Sequence, residues 1–478
     1  MIALINTNRM QPPIAPIGLD YVAVAARAAG VGVDVVDLCL AGDTEAALWE
    51  YLADHSPELV GLSFRNVDDC FWPSGEWFVP RLTQTIQTIR GLTDAPVVLG
   101  GVGFSIVAER VVEYTGADFG IRGDGEAATL SLLAELRGRR RLENVPGLLW
   151  RADGRLRANR PAWGEPLSLA TDRNAIDNAA YFRLGGQGGV ETKRGCNRKC
   201  VYCADPLAKG PVPRLRQPAE VADEVESLLG QGVDVLHLCD GEFNVPYEHA
   251  AAVCQEFIDR GLGGRVRWYT YMAVVPFDAT LAGAMRQAGC VGVDFTGDSA
   301  CPEMLARYRH AHRQADIAEA VRLCKESGMA VMIDLLLGGP GETRQSLAET
   351  VEFMKRIDPD AVGAALGLRV YPTTPVAEVI AAEGPLETNP AIRRKYAGPV
   401  DFFRPTFYIS AALGDRPAAA VRELIAGDER FFEPAEDLSE QTDPGANYNY
   451  NDNTPLVEAI AAGARGAYWH ILRKLRGG

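Results

Sequence analysis

The chain of 478 residues is too long for one ordinary domain, and its 47% hydrophobic content is enough for two or three buried cores. A formal net charge of −15 argues against a broad nucleic-acid-binding face, because phosphate recognition draws on clustered Lys and Arg. There is no basic leader and no apolar run of membrane-spanning length, so we expect a cytoplasmic protein with ten reduced cysteines and with neither nucleic acid nor membrane as a partner.

Residues 1–143 alternate short apolar runs with amphipathic stretches, which predicts a doubly wound, Rossmann-like parallel sheet. The predicted strands are 2–6, 33–37, 59–64, 97–99 and 119–122. Ligands of such sheets bind beyond the carboxyl ends of the strands. We therefore look for binding residues in the loops that follow these strands.

Two glycine-rich loops follow the fourth and fifth predicted strands, and each leads into a helix. They contain Gly100, Gly101, Gly103, Phe104 and Ser105 in the first loop, and Gly123 and Glu126 in the second. Glycine lets a backbone approach a ligand closely, and a helix N-terminus favours polar or anionic groups. Glycine is also the default residue of tight turns, so neither loop alone identifies a ligand.

Residues 144–186 predict a linker with a small hairpin that turns at Asp153-Gly154. From 187 to 375 strands and helices alternate again, with predicted strands at 189–192, 233–239, 266–271, 291–296, 330–337 and 361–370. Six such units predict a partial (β/α)6 barrel of the TIM type, whose chemistry belongs at the carboxyl ends of the strands.

Residues 376–478 lose this alternation and predict a mainly helical C-terminal region that covers the substrate. It contains aromatic and amide-rich segments at 401–408 and 448–453, and a docked amphipathic helix around Tyr468, Trp469 and His470.

Three cysteines, Cys196, Cys200 and Cys203, lie within eight residues of one loop after the first barrel strand. Gaps of this size let one turning backbone present three thiolates to an iron-sulfur cluster, with one iron left open. The alternative is structural zinc, but zinc normally takes four ligands and the loop offers no nearby fourth Cys or His. The spacing, with Tyr202 just before the third cysteine, resembles the radical SAM family, whose 4Fe-4S cluster binds S-adenosylmethionine at the open iron.

With this loop downstream, the N-terminal region resembles the cobalamin-binding domain of cobalamin-dependent radical SAM enzymes. The resemblance implies that the two glycine-rich loops hold the corrin and its nucleotide tail. A Rossmann nucleotide domain is disfavoured, because no G-x-G-x-x-G follows the first strand. The Asp-x-His-x-x-Gly motif of the mutases is absent, and in this subgroup the loop after the third strand occupies the lower face of cobalt, which places Arg65 there. The alternative is a solvated Arg65 paired with Asp68 or Asp69.

The same resemblance implies an S-adenosylmethionine site at the ends of the barrel strands. Asp240-Gly241-Glu242 resembles the element that receives the methionine amino group, and its carboxylates suit an ammonium. Asp298, Ser299 and Asp334 are further candidates for the ribose and adenine. The alternatives are an N-terminal cap for Asp240, turn residues for Asp298 and Ser299, and a paired structural carboxylate for Asp334.

The function implied by the resemblance is C-methylation of a small molecule or peptide in specialised metabolism. Methylcobalamin delivers the methyl group, and S-adenosylmethionine is both radical source and methyl donor. Flavodoxin or ferredoxin is the expected electron donor. The same motifs also serve cobalamin-dependent oxidation, rearrangement or non-radical methylation. A cobalamin- or redox-sensing binding protein is the alternative outside enzymes.

Overall fold

The computed structural model describes residues 1–163, 167–437 and 450–477. Three residues of the predicted linker, 164–166, lie outside the described residues, as do Tyr448 and Asn449 of the predicted amide-rich segment. No helix among the described residues is long and apolar enough to cross a membrane.

The first part of the chain forms a seven-stranded sheet with helices on both faces. Its strands are β1 (Ile2–Asn6), β2 (Val33–Asp37), β3 (Leu59–Ser63), β4 (Val97–Gly100), β5 (Phe119–Ile121), β6 (Leu148–Ala152) and β7 (Arg155–Ala158), in the order β2-β1-β3-β4-β5-β6-β7. Its helices are α1 (Ile17–Ala28), α2 (Thr44–Asp54), α3 (Val79–Arg90), α4 (Val102–Ile106), α5 (Ala108–Thr115) and α6 (Glu126–Arg137). The five predicted parallel strands are therefore all present.

The hairpin β6–β7 belongs to this sheet and does not stand apart as a linker. Strand β6 pairs antiparallel with β5, with Phe119 opposite Trp150. The pairing satisfies backbone groups along β5 that an open edge would leave exposed. The sequence predicted the hairpin but not its partner.

The second part of the chain forms an open parallel barrel. Its first elements are α7 (Asn178–Gly185), β8 (Gly188–Val190), β9 (Lys193–Arg194), α8 (Asp205–Lys209), β10 (Arg214–Leu215), α9 (Pro218–Gly230), β11 (Val235–Leu238), α10 (Tyr247–Asp259), β12 (Arg267–Met272), α11 (Ala279–Gln287) and β13 (Cys290–Asp298). It continues with α12 (Pro302–Tyr308), α13 (Gln314–Glu326), β14 (Ala330–Leu337), α14 (Arg344–Ile357) and β15 (Ala361–Leu366).

The C-terminal region is mixed and completes the barrel. It contains β16 (Leu368–Arg369), α15 (Pro375–Ala382), β17 (Ile392–Arg394), β18 (Thr406–Tyr408), α16 (Pro417–Ile425), β19 (Phe431–Phe432), α17 (Thr454–Ala461) and α18 (Tyr468–Leu475). The barrel order is β19-β15-β14-β13-β12-β11-β8. The predicted six strands therefore gain a seventh, β19, which pairs parallel with β15.

Side chains alternate between the outer core and the barrel lumen. Val293 and Phe295 of β13 pack in the core that the surrounding helices cover, so Asp294 and Thr296 between them face the lumen. The same alternation applies to the neighbouring strands. The side chains that face the lumen are His237 and Cys239 at β11, Tyr269 and Tyr271 on β12, and Met332 and Asp334 on β14.

Helix α18 closes the amino end of the lumen. Its Trp469 and Leu472 pack in one cluster with Tyr269 and Met332 from the lower lumen. At Gly292 an added Cβ would lie 3.3 Å from the Trp469 ring, so the helix sits directly under β13. The predicted docking of this helix is thus confirmed, and its position makes it the floor of the barrel.

Candidate active site

A cavity of about 740 Å³ lies between the carboxyl edge of the N-terminal sheet and the open side of the barrel. Its sheet side includes the predicted residues Arg65, Gly100, Gly101, Ser105, Gly123 and Glu126. Its barrel side includes Cys239, His237 and Tyr271, together with Tyr468 and Trp469 of α18. The fold therefore brings one face of the predicted cobalamin domain against the barrel lumen.

The two glycine-rich loops are tied to each other by Ser105. Its hydroxyl donates to the Gly101 carbonyl at 2.9 Å and accepts from the Gly123 amide at 3.0 Å. Gly101 has φ +107°, and a Cβ there would lie 2.6 Å from the Phe64 carbonyl oxygen. The close approach that glycine permits at Gly101 is therefore made to the neighbouring loop after β3.

Gly103 and Phe104 differ from the expectation that both contact a ligand. A Cβ at Gly103 would lie 2.8 Å from backbone atoms of Arg65 and Asn66. The Phe104 ring is fully buried and fills the space beside Gly120. Neither residue lines the cavity, because α4 turns both of them toward the sheet.

Arg65 lies in the cavity without the ion pair that was its alternative. Asp68 is instead held by Arg369 at 2.8 Å, and Asp69 accepts backbone amide hydrogens. The Arg65 guanidinium donates a hydrogen bond to the Asn66 amide oxygen at 2.8 Å. Burial lowers the pKa of the Arg65 guanidinium, so its charge is poorly solvated. A cationic side chain is thereby positioned at the carboxyl edge of the sheet.

The three cysteines of the loop after β9 are partly buried free thiols. Burial, together with the nearby charges of Asp298, Glu242 and Cys196, raises the pKa of Cys200 to about 12. Among the described residues, no three His, Cys, Asp or Glu side chains are grouped to hold a single metal ion. Three neighbouring thiols with no fourth partner suit an iron-sulfur cluster with one open iron.

Asp240 is not available to a ligand, contrary to the expectation. Its carboxylate accepts from Lys193 Nζ at 2.8 Å and from the Thr192 amide and hydroxyl at 2.8 and 2.5 Å. The side chain is also no helix cap, because α10 begins at Tyr247. Asp240 instead ties the end of β11 to the segment that leads into the cysteine loop.

Glu242, two residues later, keeps a free oxygen. Thr296 donates to its Oε1 at 2.9 Å, whereas its Oε2 has no hydrogen-bond partner among the described residues. Burial raises the pKa of Glu242 to about 7. Gly241 gives the turn room, since a Cβ there would lie 3.1 Å from an Asp205 oxygen. Asp240 is thus a structural carboxylate, whereas Glu242 keeps one oxygen available to a ligand.

Asp298 is shared by two aromatic side chains near the cluster loop. The Tyr202 hydroxyl donates to Asp298 Oδ2, and His310 Nε2 lies 2.5 Å from the same oxygen. His310 lies in the loop after α12 and is not among the site residues that the sequence predicted. Ser299 differs from the expectation: it is fully buried, with its hydroxyl 3.0 Å from Thr350 of α14, so it braces a helix.

Asp334 faces the lumen beside Asp294, which the sequence did not single out. The two carboxyls lie close enough to shift each other's pKa, and among the described residues Oδ1 of each has no hydrogen-bond partner. Asp334 is therefore paired, as the alternative predicted, but its partner is another carboxylic acid, Asp294, and not a cation.

Glu126 and the cysteine loop are connected through Arg194. Its guanidinium pairs with Glu126 at 2.9 Å, Asp124 at 3.2 Å and Glu191 at 2.8 Å. Arg194 comes two residues before Cys196. Its ion pairs therefore connect the second glycine-rich loop to the start of the cysteine loop. Glu126 was expected to meet the cofactor, and the structure shows it paired with protein.

The residues present fit the three expected cofactors. The thiols match a cluster, Glu242 Oε2 is an open acceptor beside it, and the 740 Å³ cavity with its glycine-lined edge suits a large planar group.

Known proteins match the chain along its whole length. The Radical SAM superfamily model matches residues 190–354, and the B12 binding domain model matches residues 4–133. A tryptophan 2-C-methyltransferase of Streptomyces laurentii is 30% identical, over 98% of this chain and 95% of that protein.

Two solved structures of the radical S-adenosylmethionine methyltransferase TsrM from Kitasatospora setae have the same fold. One contains tryptophan substrate and the analogue aza-SAM, with TM-score 0.92, 32% identity, and coverage of 100% of this chain and 98% of that one. The other contains cobalamin and a [4Fe-4S] cluster, with TM-score 0.88, 29% identity, and coverage of 100% and 99%.

Proposed function

The chain belongs to the cobalamin-dependent radical SAM C-methyltransferases, and we propose that its substrate is tryptophan or a close tryptophan derivative, methylated at C2 of the indole. The observation that carries this proposal is the full-length match to a tryptophan 2-C-methyltransferase, which includes the C-terminal region. That region supplies β19 and the floor helix α18, so the likeness extends to the elements that shape the lumen.

The cluster, S-adenosylmethionine and cobalamin supply the one-electron and methyl-transfer chemistry that side chains lack. In our proposal Cys196, Cys200 and Cys203 hold the cluster. Glu242 offers its unpartnered Oε2 to the ammonium of S-adenosylmethionine. The Tyr202–Asp298–His310 group presents fixed polar atoms to the ribose side.

Arg65 lines the sheet side of the cavity, and in our proposal it lies under the corrin. A guanidinium is a poor metal donor, because it stays protonated. In this placement Arg65 would offer the cofactor a charged side chain but no donor for its metal. The support is its position in the cavity and its lack of an ion pair among the described residues.

We further propose that a small redox protein such as flavodoxin or ferredoxin reduces the cofactors in a reducing cytoplasm. Ten free cysteines in the structure suit that compartment.

The test is anaerobic turnover of reconstituted protein with tryptophan and S-adenosylmethionine carrying a deuterated methyl group. We expect 2-methyltryptophan with the label, detected by mass spectrometry, together with S-adenosylhomocysteine. Cys200→Ala serves as the inactive control. Protein loaded with cluster and cobalamin that transfers no label to tryptophan would refute the substrate. Formation of 5'-deoxyadenosine without S-adenosylhomocysteine would indicate rearrangement, and formation of neither product would indicate a sensor.

A further inference from the structure

The barrel lumen contains a pair of acids below the residues assigned to S-adenosylmethionine. Asp294 lies four residues before Asp298 on the same strand, which is about 13 Å of extended chain. It is in register with Tyr271 on β12, and Asp334 lies on the adjacent strand, in register with Thr296. The pair is thus nearer the floor formed by α18 than the strand-end carboxylates are.

Asp294 is buried and 2% exposed, whereas Asp334 is half-buried. Among the described residues, Oδ1 of each acid is buried and has no hydrogen-bond partner. Burial raises the pKa of Asp294 well above its ordinary value, and the adjacent Asp334 charge adds to the shift. Burial also raises the pKa of Asp334. Two carboxyls this close share a proton, and each disfavours a negative charge on the other.

No cation of the described protein balances a negative charge on this pair. Neither acid has a Lys, Arg or His partner among the ion pairs of the described residues. Burial lowers the pKa of His237, the nearest lumen imidazole on β11, to about 4, so this ring is neutral. An unbalanced buried charge is destabilising unless a ligand compensates it.

An aromatic wall leads from the cavity to the pair. Tyr271 is 36% exposed, lines the cavity and lies close enough to Asp294 and Asp334 for their charges to raise its pKa beyond the effect of burial. Its ring lies 4.8 Å from that of His237. On the other side, Gly363 is in register with Asp334 and adds no side chain to the lumen. The wall suits a flat ring whose polar end reaches the acids.

We propose that the Asp294–Asp334 pair receives the protonated amino group of the substrate. This inference rests on the proposed function, since it assigns the amine of an aromatic amino acid to the base of the lumen. The pair selects for an amine because an ammonium is positively charged and donates hydrogen bonds to the two unpartnered Oδ1 atoms. A ligand without an amine leaves both oxygens without a donor.

The test is anaerobic calorimetry with cluster- and cobalamin-loaded protein. The probes are tryptophan, tryptamine and indole-3-propionate, which has no amine. We expect the wild-type protein to bind both amines at least tenfold more tightly than indole-3-propionate. Asp294→Asn and Asp334→Asn keep the side-chain shape and should each weaken tryptophan and tryptamine binding about 10- to 100-fold. Affinity for indole-3-propionate should change less than twofold.

Two measurements separate this role from a structural one. Cobalamin content, cluster content and S-adenosylmethionine affinity should match wild type in both variants, and Asp153→Asn on the exposed hairpin is the matched control. Unchanged affinity for the amines in the Asn variants overturns the inference. An equal loss of affinity for indole-3-propionate or for S-adenosylmethionine also overturns it. So does a wild-type protein that binds neither amine. If wild type binds the amines through the pair but transfers no methyl group to tryptophan, the proposed function fails and the receptor stands.

Discussion

Gly103→Ala should weaken cobalamin binding although Gly103 does not line the cavity. The new Cβ would lie 2.8 Å from the Arg65 carbonyl carbon and oxygen and from Asn66 Cα, whereas ordinary contact begins at 3.4 Å. The backbone that carries Arg65 must therefore move by about 0.6 Å, because both sides of the contact are main chain.

The magnitude follows from the cost of overpacking. One extra methyl in a filled site costs about 1–3 kcal/mol. The apoprotein can relax the loop into the cavity, but a bound corrin occupies that space, so the cost falls on binding. This corresponds to a roughly 5- to 150-fold higher Kd.

The assay is spectrophotometric titration of apoprotein with cobalamin. Gly230→Ala is the neutral control, because a Cβ there meets nothing within 4 Å. Gly100→Ala is the informative comparison: its nearest protein atom is 3.9 Å away and it lines the cavity, so weakened binding would report contact with the ligand itself. Wild-type affinity in Gly103→Ala would refute the coupling between α4 and the Arg65 loop.

Three further outcomes are expected. Glu242→Gln should weaken S-adenosylmethionine binding about 10-fold while cluster absorbance stays unchanged, because only the open acceptor for an ammonium is altered. Equal affinity in wild type and variant would exclude the contact between Glu242 and S-adenosylmethionine. Arg369→Met should lower the free energy of unfolding by about 3–5 kcal/mol in urea titrations, because Asp68 would stay buried without its partner. Adding Asp68→Asn should restore part of the loss. Full stability of the single variant would contradict the ion-pair argument. Burial lowers the pKa of His470 to about 4, so the unfolded chain binds a proton near pH 6.5 that the folded chain does not, and stability is lost as the pH falls from 6.5 toward 4. His470→Gln should therefore lose about 1.4 kcal/mol less than wild type between pH 7.5 and 5.5, and parallel pH curves would show that folding does not lower the pKa of His470.

The amino-acid sequence by itself determined the features whose cause is local. Three thiols within eight residues need only one loop to meet, and strands with apolar runs between amphipathic helices predict parallel sheets whatever their neighbours are. Arg65 was placed at a strand end by the same local pattern, and the structure leaves it in the cavity there.

Only the tertiary structure decided which polar groups are free. Asp240 and Glu242 stand two residues apart. Lys193, 47 residues away along the chain, donates to Asp240, whereas one oxygen of Glu242 has no partner in the part of the chain that the structure describes. Ser299 is turned to a helix by Thr350, and Asp294 meets Asp334 because of how β13 and β14 align. Such contacts depend on strand register and helix docking, which residue spacing along the chain does not specify.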